Sequence, residues 1–397
     1  MVLADRIQQV AASPTMGLDA KAKALKAAGV DVISFGVGEP DFDTPAHVKE
    51  AGIKAIEGNF TRYTAVEGIP ELKKAIVEKF ARDNQLTYTP EQIVVNCGGK
   101  HTIYNLTQVL FQEGDEVIIP APYWVSYPPM VILAGARPVI VSTREANGFK
   151  LTAEELKAAI TPATKALILN SPSNPTGAVY TREDLQAIAG VLLENKIWVI
   201  SDDIYEKIIF DGIRFFNLAN LHPDLKPRTI IAHGVAKTYA MTGWRIGYMA
   251  APKEVASAVS KLQSQSTSNP CSIAQKAAVA ALNGPQDSVQ AMVAAFDERR
   301  RFLVETLNRM EGVRCGTPGG AFYVFPNVSS YYGKSCQGRT IHGSSDLSDY
   351  LLEEARIAVV PGSAFGDDTC VRLSYAISLE DNRRGLERMA EALSRLK

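Results

Sequence analysis

Neither sign of charge is in excess, with 42 basic side chains against 43 acidic ones over 397 residues, and no basic or acidic run stands out. A nucleic-acid surface gathers basic side chains on one face, so none is expected here. Long apolar runs are also missing: no stretch nears the ~20 residues of a membrane span. Asp5 and Arg6 fall where a secretory leader needs an unbroken apolar segment, which leads to the expectation of a cytoplasmic protein. Cysteine is scarce. The five (Cys97, Cys271, Cys315, Cys336, Cys370) are odd in number, widely spaced and without a CxxC pair, which argues against a disulfide framework or a zinc site. Reduced, mostly buried thiols are expected. The five histidines form no ligand-spaced cluster and no Gly-x-Ser-x-Gly elbow occurs, so no metal is expected and triad chemistry is set aside.

What is present is the composition of a globular protein, 46% hydrophobic and 21% charged. Its length exceeds the roughly 250–300 residues that one core serves, so two lobes are expected. Seven apolar, β-rich runs lie at 92–96, 116–119, 138–141, 165–170, 197–201, 229–232 and 244–249, separated by helical stretches. Runs without apolar/polar alternation are strands covered on both faces, as in a mainly parallel α/β sheet. Beyond residue 285 the texture changes to an amphipathic helix near 292–310, a strand at 321–325, a Gly/Ser/Tyr-rich surface loop at 329–345, a helix at 347–355 and a strand at 371–376. The helix and strand-like run at 19–35 are expected to join this second, α+β lobe. The resulting division is 1–45 as N-terminal arm and first part of the small domain, 46–290 as the large domain, and 291–397 as the small C-terminal domain.

Ligands of open α/β sheets bind beyond the carboxyl ends of the strands. Four such ends carry polar residues: Cys97-Gly98-Gly99-Lys100, Ser171 through Asn174-Pro175-Thr176-Gly177, Asp202-Asp203-Ile204-Tyr205, and His233 through Lys237. Gly98-Gly99 before a helix can cradle an anion, since free N–H groups and a partial positive charge gather there, but paired glycines also simply make tight turns. It is no Walker loop, and Gly36-Val37-Gly38-Glu39-Pro40-Asp41 lacks the third glycine of a dinucleotide site. Asp202 ends a buried run and needs a partner, either a protonated ring nitrogen or a helix cap. Arg245, between Trp244 and Ile246, calls for a fixed anionic partner. In 371–376 strict alternation would let Arg372 face solvent.

Taken together these features are distinctive. Gly234-Val235-Ala236-Lys237-Thr238-Tyr239, continuing to Gly243-Trp244-Arg245-Ile246-Gly247-Tyr248, resembles the lysine motif of class I aminotransferases, enzymes dependent on pyridoxal 5'-phosphate (PLP). Asn174 to Gly177, Ser201 to Tyr205 and Val371 to Tyr375 match the family's other motifs in order and spacing, over nearly the whole chain. The bacterial aspartate/prephenate aminotransferase subgroup is the most similar. The resemblance implies fold type I, with Lys237 carrying PLP as a Schiff base and acting as the proton-moving base. It implies Asp202 on the pyridine nitrogen, Tyr205 and Asn174 on the ring oxygen, and Trp124 stacked on the ring. Gly98, Gly99, Lys100 and Arg245 would hold the phosphate, with Tyr63 reaching the phosphate of a neighbouring subunit in a homodimer. Arg372 would take the substrate α-carboxylate, helped by Asn174, Trp124 and the backbone near Gly38. Lys100, with Ser13 and Thr15, would meet the distal carboxylate.

Two residues depart from the family pattern: Asp203 stands where Glu is commoner, and Ala236 where Ser is frequent. The implied reaction moves an amino group between L-aspartate or L-glutamate and a 2-oxo acid, with prephenate as a possible acceptor yielding arogenate. Alternatives at this stage are a PLP lyase (C–S lyase or aminocyclopropane carboxylate synthase type), an aromatic aminotransferase, and a PLP-binding regulator without turnover.

Overall fold

A computed structural model describes residues 3–397. After a two-residue strand β1 (Ile33–Ser34) come β2 (Ile93–Asn96), β3 (Glu116–Ala121), β4 (Arg137–Ser142), β5 (Thr164–Asn170), β6 (Trp198–Asp202), β7 (Thr229–Gly234) and β8 (Gly247–Ala250). These seven form one sheet in the order β2-β8-β7-β6-β5-β3-β4. All neighbours are parallel except β8, which runs antiparallel to both β7 and β2. Every residue of β2, β7 and β8 is buried. Successive side chains point to opposite faces, and both faces are covered: Ile93 and Val95 enter one apolar core, Val94 another. That is why the runs read as continuous Ile and Val.

The chain continues with β9 (Tyr323–Val324), β10 (Ser335–Cys336), β11 (Arg339–Thr340), β12 (Ile357–Ala358), β13 (Val360–Pro361) and β14 (Val371–Ser374). β13, β14 and β9 make a three-stranded sheet, and β1 pairs in parallel with β12. Ile33 and Phe35 share a core with Phe296, Tyr350 and Leu373, which ties the N-terminal segment to the C-terminal elements.

Four expectations need correction. The run at 244–249 is a strand only from Gly247, because Thr242–Trp244 makes a 3₁₀ turn and Arg245 adopts φ +55°. The segment 329–345 is no plain surface loop: it holds the β10–β11 hairpin and buries Tyr331 and Ile341. The long helix spans Asp287–Asn308, starting earlier than its apolar stripe. The first long helix, Pro14–Ala27, starts ahead of residue 19, with proline in its first turn where the missing N–H costs nothing.

One charged pair lies wholly inside. Lys79, on the helix Pro70–Asn84, pairs with Glu206, and Asn84 bridges both, accepting from Lys79 at 2.7 Å and donating to Glu206 at 2.8 Å. Burial would raise the Glu206 carboxyl, but the Lys79 ammonium beside it holds it well below the usual range. Removing one partner leaves an uncompensated buried charge, so Lys79→Met should cost about 3–5 kcal/mol of stability. Urea denaturation measures this; a loss within error of zero would mean that Glu206 is satisfied without the lysine.

Candidate active site

The parallel register of β5, β6 and β7 sets Asn170 beside Asp202 and Asp202 beside Ala232, so three strand ends form one row. Asn170 Nδ2 donates to the Asp202 carbonyl at 2.9 Å, and its Oδ1 accepts from the Asn174 N–H at 2.8 Å, which fixes the turn that carries Asn174. The turn after β7 delivers Lys237, whose amine donates to the Gly38 carbonyl. Gly38, Gly99, Lys100, Trp124, Asn174, Asp202, Tyr205, Lys237, Arg245, Arg372 and Thr15 all line one cavity of about 250 Å³.

Asp202 is 6% exposed. Burial pushes its carboxyl up to about 6, opposed by the Tyr127 phenol, which donates at 2.6 Å, and by the Ile204 N–H at 3.3 Å. Burial likewise brings the Lys237 amine down to about 8; Glu39 and Asp202 oppose the fall while Arg372 and Arg245 add to it. A lysine neutral that close to physiological pH can act as nucleophile or base.

Arg372 is 2% exposed, not solvent-facing as alternation allowed. All four residues of β14 are buried: Val371 and Leu373 pack in a core with Phe296, Leu303 and Leu386, while Arg372 lies against the Tyr323 and Phe365 rings. Its guanidinium donates to Asn174 Oδ1 at 3.0 Å and to the Gly36 carbonyl at 2.8 Å, and lies against the Tyr323 and Phe365 rings at 4.6 and 5.1 Å. No carboxylate pairs with it among the described residues, and its Nε is buried without a partner. A buried cation without a counter-ion is costly unless a ligand supplies the anion.

Arg245 has no carboxylate partner among the described residues. It is exposed, and its guanidinium bonds the Thr242 carbonyl at 2.6 Å and the Cys97 carbonyl at 3.4 Å. Gly98, at φ +96°, leaves the space that this guanidinium fills, so a side chain there would strike it. The N-terminus of the helix Gly99–Leu110, where free N–H groups and a partial positive charge gather, begins at the same point. The Lys100 amine sits 5.2 Å over the Trp124 ring, and burial with Arg245 nearby lowers its pKa. Ser13 is off the cavity but touches Thr15, hydroxyl to hydroxyl, at 3.0 Å. Tyr63 is 91% exposed and outside the cavity.

Nothing in the sequence marks Asn170, Tyr127 or Tyr323, although Tyr127 follows Trp124 by three residues, a spacing that puts both near one helix start. The cysteine expectation holds in part: all five are free, but only Cys315 and Cys370 are buried, while Cys97 and Cys336 are half-buried and Cys271 is exposed.

A lysine, a buried aspartate and two arginines without acidic partners among the described residues converge at the strand ends. The family described as aminotransferase class I and II matches residues 30–389. The chain belongs to this family. Aminotransferases of this class are PLP-dependent. An aspartate/prephenate aminotransferase of Cereibacter sphaeroides is 52% identical over 98% of this chain and 97% of its own. The crystal structure of the Rhizobium meliloti aspartate aminotransferase superimposes with a TM-score of 0.97 at 47% identity, covering 100% of both chains. The Thermus thermophilus aspartate aminotransferase with maleate gives 0.92 at 43% identity, over 99% of this chain and 100% of its own. The protein is an aminotransferase of fold type I. Neither the lyase nor the regulator reading is favoured by these relatives. No helix among the described residues is long and apolar enough to cross a membrane.

Proposed function

We propose that this transaminase moves the amino group between L-aspartate or L-glutamate and a 2-oxo acid, oxaloacetate or 2-oxoglutarate, with PLP held by the residues just described. The observation that carries the reading is Arg372, a buried guanidinium without a carboxylate partner that shares a cavity with Lys237. The residues fit PLP. Gly98, Gly99 and Arg245 form a cationic cradle at a helix N-terminus, Asp202 offers a buried carboxylate to a ring nitrogen, and Trp124 lines the same cavity.

PLP supplies an electron sink that stabilises negative charge at the substrate Cα. Arg372 takes the α-carboxylate through its planar fork and thereby sets the Cα–H toward Lys237. The Lys237 amine, brought down to about 8, removes the Cα proton and returns it elsewhere. Asp202, oriented by Tyr127, holds a proton at the ring nitrogen. Because Asn174 Oδ1 already accepts from Arg372, its Nδ2 is left to donate, which suits the ring oxygen together with Tyr205. Lys100, with Thr15 and Ser13 beside it, meets the distal carboxylate of a dicarboxylic substrate. Prephenate, also a 2-oxo acid with a second carboxylate, fits the same charges and would yield arogenate.

The chain divides at residues 45 and 290 in this reading. It works in the cytoplasm as a homodimer, where exposed Tyr63 extends to the phosphate of the second copy.

Mixing purified holoenzyme with aspartate and 2-oxoglutarate should give oxaloacetate and glutamate, and prephenate with either donor should give arogenate. Pyruvate and sulfide from cysteine, with no amino transfer, would overturn the proposal. Lys100→Ser should lower kcat/KM for aspartate about 10–100-fold, the worth of a charged hydrogen bond, and leave phenylalanine nearly unaffected. Equal losses for both amino acids would remove Lys100 from substrate choice.

A further inference from the structure

Tyr323 belongs to none of the family motifs, yet it touches both arms of the site. In β9 it pairs with Ser374 of β14, two residues from Arg372, and it is 1% exposed. Its hydroxyl lies 2.8 Å from the Tyr205 hydroxyl, and no other hydrogen-bond partner reaches it among the described residues. Its ring lies 4.6 Å from the Arg372 guanidinium. The same hydroxyl stands 3.2 Å from where a side chain at Gly38 would begin, and Gly38 accepts from Lys237.

Two hydroxyls in contact share one bond, in which one donates and the other accepts. If Tyr205 spends its own proton on the ring oxygen, it must accept from Tyr323. An accepted hydrogen bond polarises a hydroxyl and strengthens it as a donor. We propose that Tyr323 is a positioning residue with two separable ends: a hydroxyl that donates to Tyr205 and strengthens it as a donor, and a ring that holds the Arg372 guanidinium in its carboxylate-binding pose. The proposal rests on the reading of Tyr205 and Arg372 given above.

Donors at the ring oxygen stabilise negative charge there, and that charge in turn holds the proton on the Lys237 nitrogen. Weaker donation at the oxygen leaves more charge to hold the proton, so the pH at which the bound cofactor changes colour should rise. An absorbance titration of the holoenzyme reads this midpoint without turnover. Tyr205→Phe should raise it by about 1–2 units, the loss of a charge-assisted bond. Tyr323→Phe should raise it by about 0.1–0.6 unit, since only the polarisation is lost. Calorimetry with maleate, a dicarboxylate lacking an amino group, reads the other end. Tyr323→Phe keeps the ring and should bind maleate like the wild type, whereas Tyr323→Leu should bind it about 3–10-fold more weakly.

A wild-type midpoint in Tyr323→Phe beside a shifted one in Tyr205→Phe overturns the hydroxyl role while sparing the Tyr205 assignment. An unshifted Tyr205→Phe overturns that assignment and the hydroxyl role with it. Equal maleate affinity in the Phe and Leu variants overturns the role of the ring.

Discussion

Lys237→Ala is expected to lower kcat for aspartate with 2-oxoglutarate on the order of 10⁴-fold, the upper range for a proton-transfer group. The fold should survive, because the amine makes one hydrogen bond, to the Gly38 carbonyl, and cutting the side chain back to Cβ only enlarges a cavity that is already there. Borohydride reduction of the wild-type holoenzyme should leave the pyridoxyl group on the peptide that contains Lys237, and on no peptide of the variant. Near-normal turnover by the variant would remove Lys237 from the chemistry. The same amine sets a pH dependence. Only the neutral amine attacks an aldehyde, so the rate at which apoprotein takes up PLP should climb with pH and level off above about 8. A rate still climbing near pH ~10, where an unperturbed lysine titrates, would show that burial does not depress this one.

Arg372→Leu is the second large effect. Truncating one member of a desolvated charge contact costs about 2–5 kcal/mol, so kcat/KM should fall about 30–5000-fold. Since every α-amino acid has the α-carboxylate, aspartate and glutamate should lose equally, unlike the side-chain-dependent loss in Lys100→Ser. Stability should move the other way or not at all. The guanidinium lies between the Tyr323 and Phe365 rings without a counter-ion, and an apolar side chain there relieves a buried charge. Steady-state kinetics with both amino acids, alongside thermal unfolding of the apoprotein, separates the two effects. A loss confined to one amino acid would place Arg372 at the side chain instead.

The strands of the main sheet were legible where Ile, Val and Leu run on unbroken because both faces are covered, as in β2, β5 and β7; β4, at the sheet edge, has no buried residue, and β8 (Gly-Tyr-Met-Ala) holds neither Ile nor Val. The strand ends were legible for the same reason: polarity begins where cover ends. Arg245 misled, since Trp-Arg-Ile-Gly-Tyr-Met has the composition of a strand, and only the left-handed φ at Arg245 turns its first part into a loop. Arg372 was hidden by its own alternation, which cannot tell a solvent face from a face sealed by another part of the chain. Tyr127 and Tyr323 sit in apolar surroundings and read as core; what distinguishes them is where their hydroxyls point, to Asp202 and Tyr205, and hydroxyl direction has no sequence signature.

The reversal between β7 and β8 has a consequence for how this chain can vary. Gly234 stands opposite Gly247, and Gly247 has no side chain because the Gly98–Gly99 backbone passes directly over it. Both ends of the connection are thereby pinned, one by a ladder and one by close backbone contact, and Lys237 and Arg245 lie between them. A single inserted residue in β8 would exchange the side chains of its two buried faces, and one between Lys237 and Arg245 would move the amine relative to the cradle. The number of residues between 235 and 246 is therefore fixed together with Lys237 and Arg245, whereas the β10–β11 hairpin, which contributes nothing to the cavity, has room to lengthen.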